Sequence, residues 1–168
     1  MFAKTQWTTR TLAALTIAIL AVLVGSMLVV SRSEATPGQG VTPEPITSGD
    51  LSNPVVAKFK AWFNVKSDVS RIEITKYTVT PDGYFGWHQH SGPVWVVVTS
   101  GTLTYYEGDD LACTPISYPA GSAFMDPGNH THNARNEGSE DLVIYATFQL
   151  PEGGAVRIDV PDPGVCDF

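Results

Sequence analysis

The chain has 168 residues and a formal net charge of −7, with 43% hydrophobic and 16% charged residues. One core of ordinary domain size accounts for that length, and so apolar a composition excludes a disordered chain. Acids outnumber Lys and Arg by 17 to 10 with no basic run, which excludes a nucleic-acid surface, since phosphate binding needs clustered cations.

The first residues carry Lys4 and Arg10 and no acid, and the sequence then runs without a charge to Val30. As a helix, Leu12–Val30 would be about 28 Å long, close to the hydrocarbon thickness of a bilayer. Residues 1–31 therefore read as a hydrophobic helix, either a transmembrane anchor or a signal peptide. The run is longer than the usual secretory core. Against that, Gly25-Ser26 interrupts it and Ser33-Glu34-Ala35 offers a small-x-small cleavage site. Both readings place the rest of the chain outside the cytoplasm, anchored to a membrane or secreted, with Lys4 and Arg10 inside. Residues 32–54 are rich in Pro, Gly, Ser and Thr and read as an extended linker. The folded domain is expected over residues 55–168.

Within that domain "VVAKFKAWFNVK" reads equally as strand or helix, and strand signals follow. "RIEITKYTVT" alternates Ile72 and Ile74 with charged neighbours. "VWVVVTSGTLTYYEGDD" reads as two strands joined at Ser100-Gly101. Turns at Pro119-Ala120-Gly121, Pro127-Gly128 and Glu137-Gly138 separate shorter strands, and Leu142–Leu150 is the clearest of them. No helical period survives past Lys66, so the class is all-β, a sandwich or barrel. The two cysteines, Cys113 and Cys166, read as one disulfide in an oxidising compartment, tying the tail to the domain.

All four histidines fall in two His-x-His pairs, His88/His90 and His130/His132. Residues two apart on a strand share a face, so each pair can present two imidazoles to one cation. A barrel brings inward positions of distant strands to one cavity.

These residues resemble the cupin superfamily. "GYFGWHQHSGPVWVVVTSG" is similar to the first cupin motif, with His88, His90 and Gly101 in place and Gly83 one residue nearer His88 than the pattern asks. "GSAFMDPGNHTHNARN" is similar to the second, with Gly121, Pro127, His132 and Asn136 at the motif spacing. Asn129 stands where that motif has its second glycine, and Gly128 is adjacent. The resemblance implies a single antiparallel jelly-roll barrel with His88, His90 and His132 as metal ligands. It implies no carboxylate ligand, because Val94 stands at the acid position and Trp95 follows it. His130 lies outside the pattern, as a fourth ligand or a residue at the barrel mouth.

Three neutral imidazoles leave the full charge on a divalent ion and room for an anionic ligand. They suit Fe, Zn, Ni, Mn or Cu without choosing among them. The expected function is a metal-dependent oxygenase or isomerase of a small anionic or carbonyl compound. The alternative is a barrel without metal, either structural or holding a small molecule without turnover. Tyr84, Glu73, Asp126 and Tyr145 are proton-transfer candidates by residue type alone. Trp87 and Trp95 flank the site in sequence, with packing the expected use of both. Expected partners are a small-molecule ligand, a membrane through the N-terminal segment, and a second copy pairing as a homodimer.

Overall fold

A computed structural model describes residues 36–60 and 64–168; the hydrophobic helix expected over 1–31 lies outside the described residues. Every described element is a β-strand, and none of the described residues forms a helix long and apolar enough to cross a membrane.

The chain opens on a long antiparallel hairpin, β1 (Gln39–Lys60) against β2 (Asn64–Tyr84). The linker expected over 32–54 is therefore strand from Gln39 onward. The composition that suggested a linker is accommodated because, among the described residues, β1 pairs only with β2 and so has a free edge. An edge strand tolerates proline, which cannot donate to a ladder. Pro43 and Pro45 stay in register with Tyr77 and Thr75, and the shifts between Pro45 and Thr47 and between Asp50 and Val55 leave Ile46 and the stretch 51–54, with Pro54, bulged out of the ladder. The ambiguous segment after Pro54 is also strand in its described part, Val55–Lys60.

The core comes from strict alternation on two neighbouring strands, β4 (Val94–Ser100) and β9 (Leu142–Leu150). Val94, Val96 and Val98 point inward opposite Phe148, Ala146 and Ile144, while Trp95 and Val97 point out. Val79 of β2 and Leu103 of β5 (Thr102–Glu107) close the same cluster. Burying a side chain of this size stabilises by about 1.5–3 kcal/mol, so these few positions dominate the barrel's apolar drive.

Ser100-Gly101 joins two strands, as expected, but it is a corner between layers. β4 pairs with β9 and with β7 (Ala123–Asp126), whereas β5 pairs with β6 (Ile116–Pro119) and β8 (His132–Arg135). Gly101 makes the corner with a φ of 72°, and a Cβ there would meet Asp141 O and Leu142 Cα at 3.0 Å. The two short strands β3 (His88–Gln89) and β10 (Ile158–Asp159) complete a nearly closed antiparallel barrel, ordered β10-β3-β8-β2-β9-β4-β7.

Buried Asn136 is a turn-builder. Its Nδ2 donates to Val79 O and to Glu140 O, both at 2.8 Å, and its Oδ1 accepts from Gly138 N.

The C-terminal segment packs on the outside of β3 and β5. Cys166 is joined to Cys113 by a disulfide across 53 positions, and it packs with Trp87 and Tyr106. Trp87 therefore faces away from the histidine cavity and is buried by the tail, with Phe168 stacked on it at 6.3 Å. Trp95 meets the edge of Phe59 at 5.7 Å on the outer face. In the chain-entropy picture a loop of this size contributes at most about 4 kcal/mol, less where the tail is already docked. Protein alkylated at the moment of lysis should take up no maleimide until it is reduced, and then two per chain. Label on either cysteine before reduction would contradict the bridge.

Candidate metal centre

His88 lies directly opposite His132 in the β3–β8 ladder, and His90 follows one step beyond β3. Directly opposed residues share a face, and so do residues two apart on extended chain. The three rings therefore converge, with centroids 4.2 Å apart for His88–His132, 4.9 Å for His88–His90 and 5.0 Å for His90–His132. One nitrogen from each lies within 4.8 Å of the others. All three side chains are buried.

Each Nδ1 is taken by an oxygen that can only accept. His88 Nδ1 meets Gly86 O at 2.7 Å, His132 Nδ1 meets His130 O at 3.0 Å, and His90 Nδ1 meets Val156 O. A carbonyl cannot donate, so each Nδ1 carries the proton and each Nε2 keeps a bare lone pair. Burial lowers the pKa of all three imidazoles. It brings His90 down to about 4 and His88 well below its usual value, with the neighbouring imidazoles adding to the effect at both. Neutral, Nε2-directed rings are the form that ligates a metal. The donor set fits a divalent transition ion bound by three imidazoles with a position left open.

The three rings line a cavity of about 80 Å³, room for on the order of five waters. Its wall is mostly apolar, with Val94, Val96, Phe124 and Phe148 among its members. Val94, at the position where the acid is missing, is itself part of that wall and is fully buried. The polar exceptions besides the histidines are Tyr77, Tyr105, Asp126 and Arg157. Asp126 was identified in the sequence by residue type only. Arg157 and Tyr105 carried no sequence signal, because nothing in a motif marks which way an isolated residue faces.

His130 does not join the three. Its Nδ1 is 2.9 Å from Glu107 Oε2 and its Nε2 is 3.5 Å from Asp109 Oδ1. The hydrogen bond with Glu107 raises the His130 pKa, the opposite of what happens to the buried rings. Three of the proton-transfer candidates also lie away from the cavity. Glu73 pairs with Arg71 at 3.2 Å, Tyr84 lies under the Arg135 guanidinium at 5.0 Å, and Tyr145 faces outward from β9.

A family model described as a cupin domain matches residues 75–148. Residues 75–148 are a cupin domain. Among solved structures the chain is similar to the polyketide cyclase RemF from Streptomyces resistomycificus. Identity is 14% over 79% of this chain and 85% of that one, with a TM-score of 0.51. It is also similar to a cupin-like protein from Thermotoga maritima, at 20% identity over 54% of this chain and 65% of that one (TM-score 0.49). Oxalate decarboxylase from Bacillus subtilis, a protein with Mn(II) centres, is 23% identical over 53% of this chain and 24% of its own (TM-score 0.46). The chain thus spans less than two thirds of the Thermotoga protein's length. At 14% identity the likeness to the cyclase is one of fold alone. No curated protein matches the sequence.

The lowered histidine pKa values fix a pH dependence for the metal-stripped protein. The unfolded chain takes up protons near pH 6.5, and the folded chain resists until about pH 4 at His90. Between those values the unfolded state binds more protons, so stability rises with pH and is lost as pH falls from 6.5 towards 4. His90 alone accounts for roughly 3 kcal/mol of that loss. Urea unfolding of chelator-treated protein at pH 7 and pH 4.5 checks it; equal midpoints would contradict neutral buried rings.

Proposed function

We propose that this is an extracytoplasmic cupin metalloprotein whose His88, His90 and His132 hold one divalent transition ion. We propose further that it acts on a small anionic or carbonyl compound, as an oxygenase or an isomerase. The observation that carries the reading is the commitment of all three Nδ1 atoms to backbone carbonyls, which leaves each Nε2 bare on three rings that converge closely enough to share one ion. Bound there, the ion supplies Lewis acidity and an open coordination position.

The chain's own residues limit what can bind beside it. The cavity is small, so the ligand is small. The mostly apolar wall lowers the local dielectric and strengthens any charge interaction inside. Arg157 is the one Lys or Arg on the wall among the described residues, and it is fixed in place by Phe85 O at 2.7 Å and Asp159 Oδ1 at 2.6 Å. It gives the cavity a positive flank that favours a carboxylate, an enolate or a carbonyl oxygen. The Cys113–Cys166 bridge supports the placement outside the cytoplasm, where disulfides persist.

Metal analysis tests the reading directly. The full chain, purified without a histidine tag from metal-supplemented culture, should carry one transition ion per molecule. His88→Ala/His132→Ala should reduce that to background while keeping the disulfide. Metal-free wild type, or a double variant that keeps its ion, would overturn the site. Mass spectrometry of reactions with a panel of small carboxylates and carbonyl compounds then decides between turnover and simple binding.

A further inference from the structure

The cupin pattern places an acid on β4, and this chain has Val94 there. The residue directly opposite Val94 in the β4–β7 ladder is Asp126. Asp126 is 2% exposed and is the one carboxylate on the wall of the histidine cavity among the described residues. An acid is therefore present one strand away from where the pattern expects it.

Its surroundings are built for a carboxylate. Oδ1 accepts the Gly128 N–H at 2.7 Å, and Oδ2 accepts the Tyr105 O–H at 2.6 Å. The Gly128 amide reaches back because the turn after Pro127 has a φ of 75°, and a Cβ there would lie 2.5 Å from Gly92 O. The Tyr105 ring lies parallel to His132, with centroids 5.0 Å apart and planes 17° apart. The third neighbour of the carboxylate is His132 Nδ1, 3.2 Å from Oδ2.

That last contact decides the role. Asp126 meets the Nδ1 side of His132, whereas the ligating atom is Nε2 on the far side of the ring. Two groups of side chains among the described residues are placed to hold one ion, the three histidines and Glu107, Asp109 and His130, and neither includes Asp126. His88 and His90 offer Nδ1 only to neutral carbonyls, so His132 alone has a carboxylate behind it. We propose that Asp126, held by Tyr105 and Gly128, is a positioning residue that orients His132 and strengthens it as a metal ligand. The site then has a negative charge beside it, as a site with three histidines and one acid would have. The coordination position the acid would have filled stays open for substrate. This inference rests on the three-histidine metal reading above.

A carboxylate partner behind a ligating histidine typically changes metal affinity by 10–100-fold. The test is Co(II) titration of the full-length chain, wild type against D126N and His132→Ala, followed by the visible absorption of bound Co(II). D126N is isosteric but has one acceptor oxygen where three donors converge. The expected result is about 10–100-fold weaker Co(II) binding with unchanged absorption bands, because the ligands stay the same. Wild-type affinity in D126N overturns the proposal. So does loss of binding in D126N as complete as in His132→Ala with the bands moved in the residual complex, since Asp126 would then be a ligand. Wild type that takes no Co(II) removes the metal reading and this inference with it. Should D126N fail to fold, imidazole 15N spectra of metal-free wild type give the answer. His132 must carry its proton on Nδ1 with Nε2 bare, and the reverse tautomer overturns the proposal.

Discussion

Three hydrogen bonds from imidazole to backbone set the character of this protein. A buried histidine can turn either nitrogen towards its neighbours, and a cluster of three has many arrangements in which no ion fits. Here Gly86 O, Val156 O and His130 O each claim an Nδ1. Two of those carbonyls belong to residues two positions before the ring they fix, so the local strand geometry sets the tautomer. The third, Val156 O, comes from the segment after β9, whose continuation β10 pairs back onto β3. Assembly of the site thus depends on docking of the C-terminal segment, which the Cys113–Cys166 bridge holds further along.

The absent acid changes the charge around the site without emptying it of carboxylate. Val94 fills its place with a methyl-bearing wall, and Asp126 stands opposite it behind His132. In the proposed metal site, a negative charge behind a ligand instead of in the metal's own shell would preserve much of the electrostatic balance and free a coordination position. Burial of the rings works in the same direction, since desolvation keeps them neutral and ready to bind.

Much of this was legible in the sequence. Period two alone put His88 and His90 on one face, and the motif spacing selected His132 over His130 as the third member. Turn residues every few positions gave the all-β class, and the cysteine pair gave the bridge. Two things could not be read. Residues 39–54 look like a linker because proline and glycine depress strand propensity, and only the free edge of β1 makes the strand tolerable. The part played by Asp126 depends on which β7 residue lies opposite Val94, and register between strands distant in sequence is a property of the whole fold. Arg157 escaped because it lies on irregular chain between β9 and β10, where no period marks which way a residue faces.

The central claim is that three imidazoles converge on one ion. X-ray absorption at the Zn edge of zinc-loaded full-length protein addresses it with no assumption about activity. The account predicts three imidazole nitrogens at about 2.0–2.1 Å, recognisable from outer-ring scattering, with one further oxygen ligand from solvent. A shell of oxygen alone, or fewer than three imidazoles in a stoichiometric complex, would contradict it.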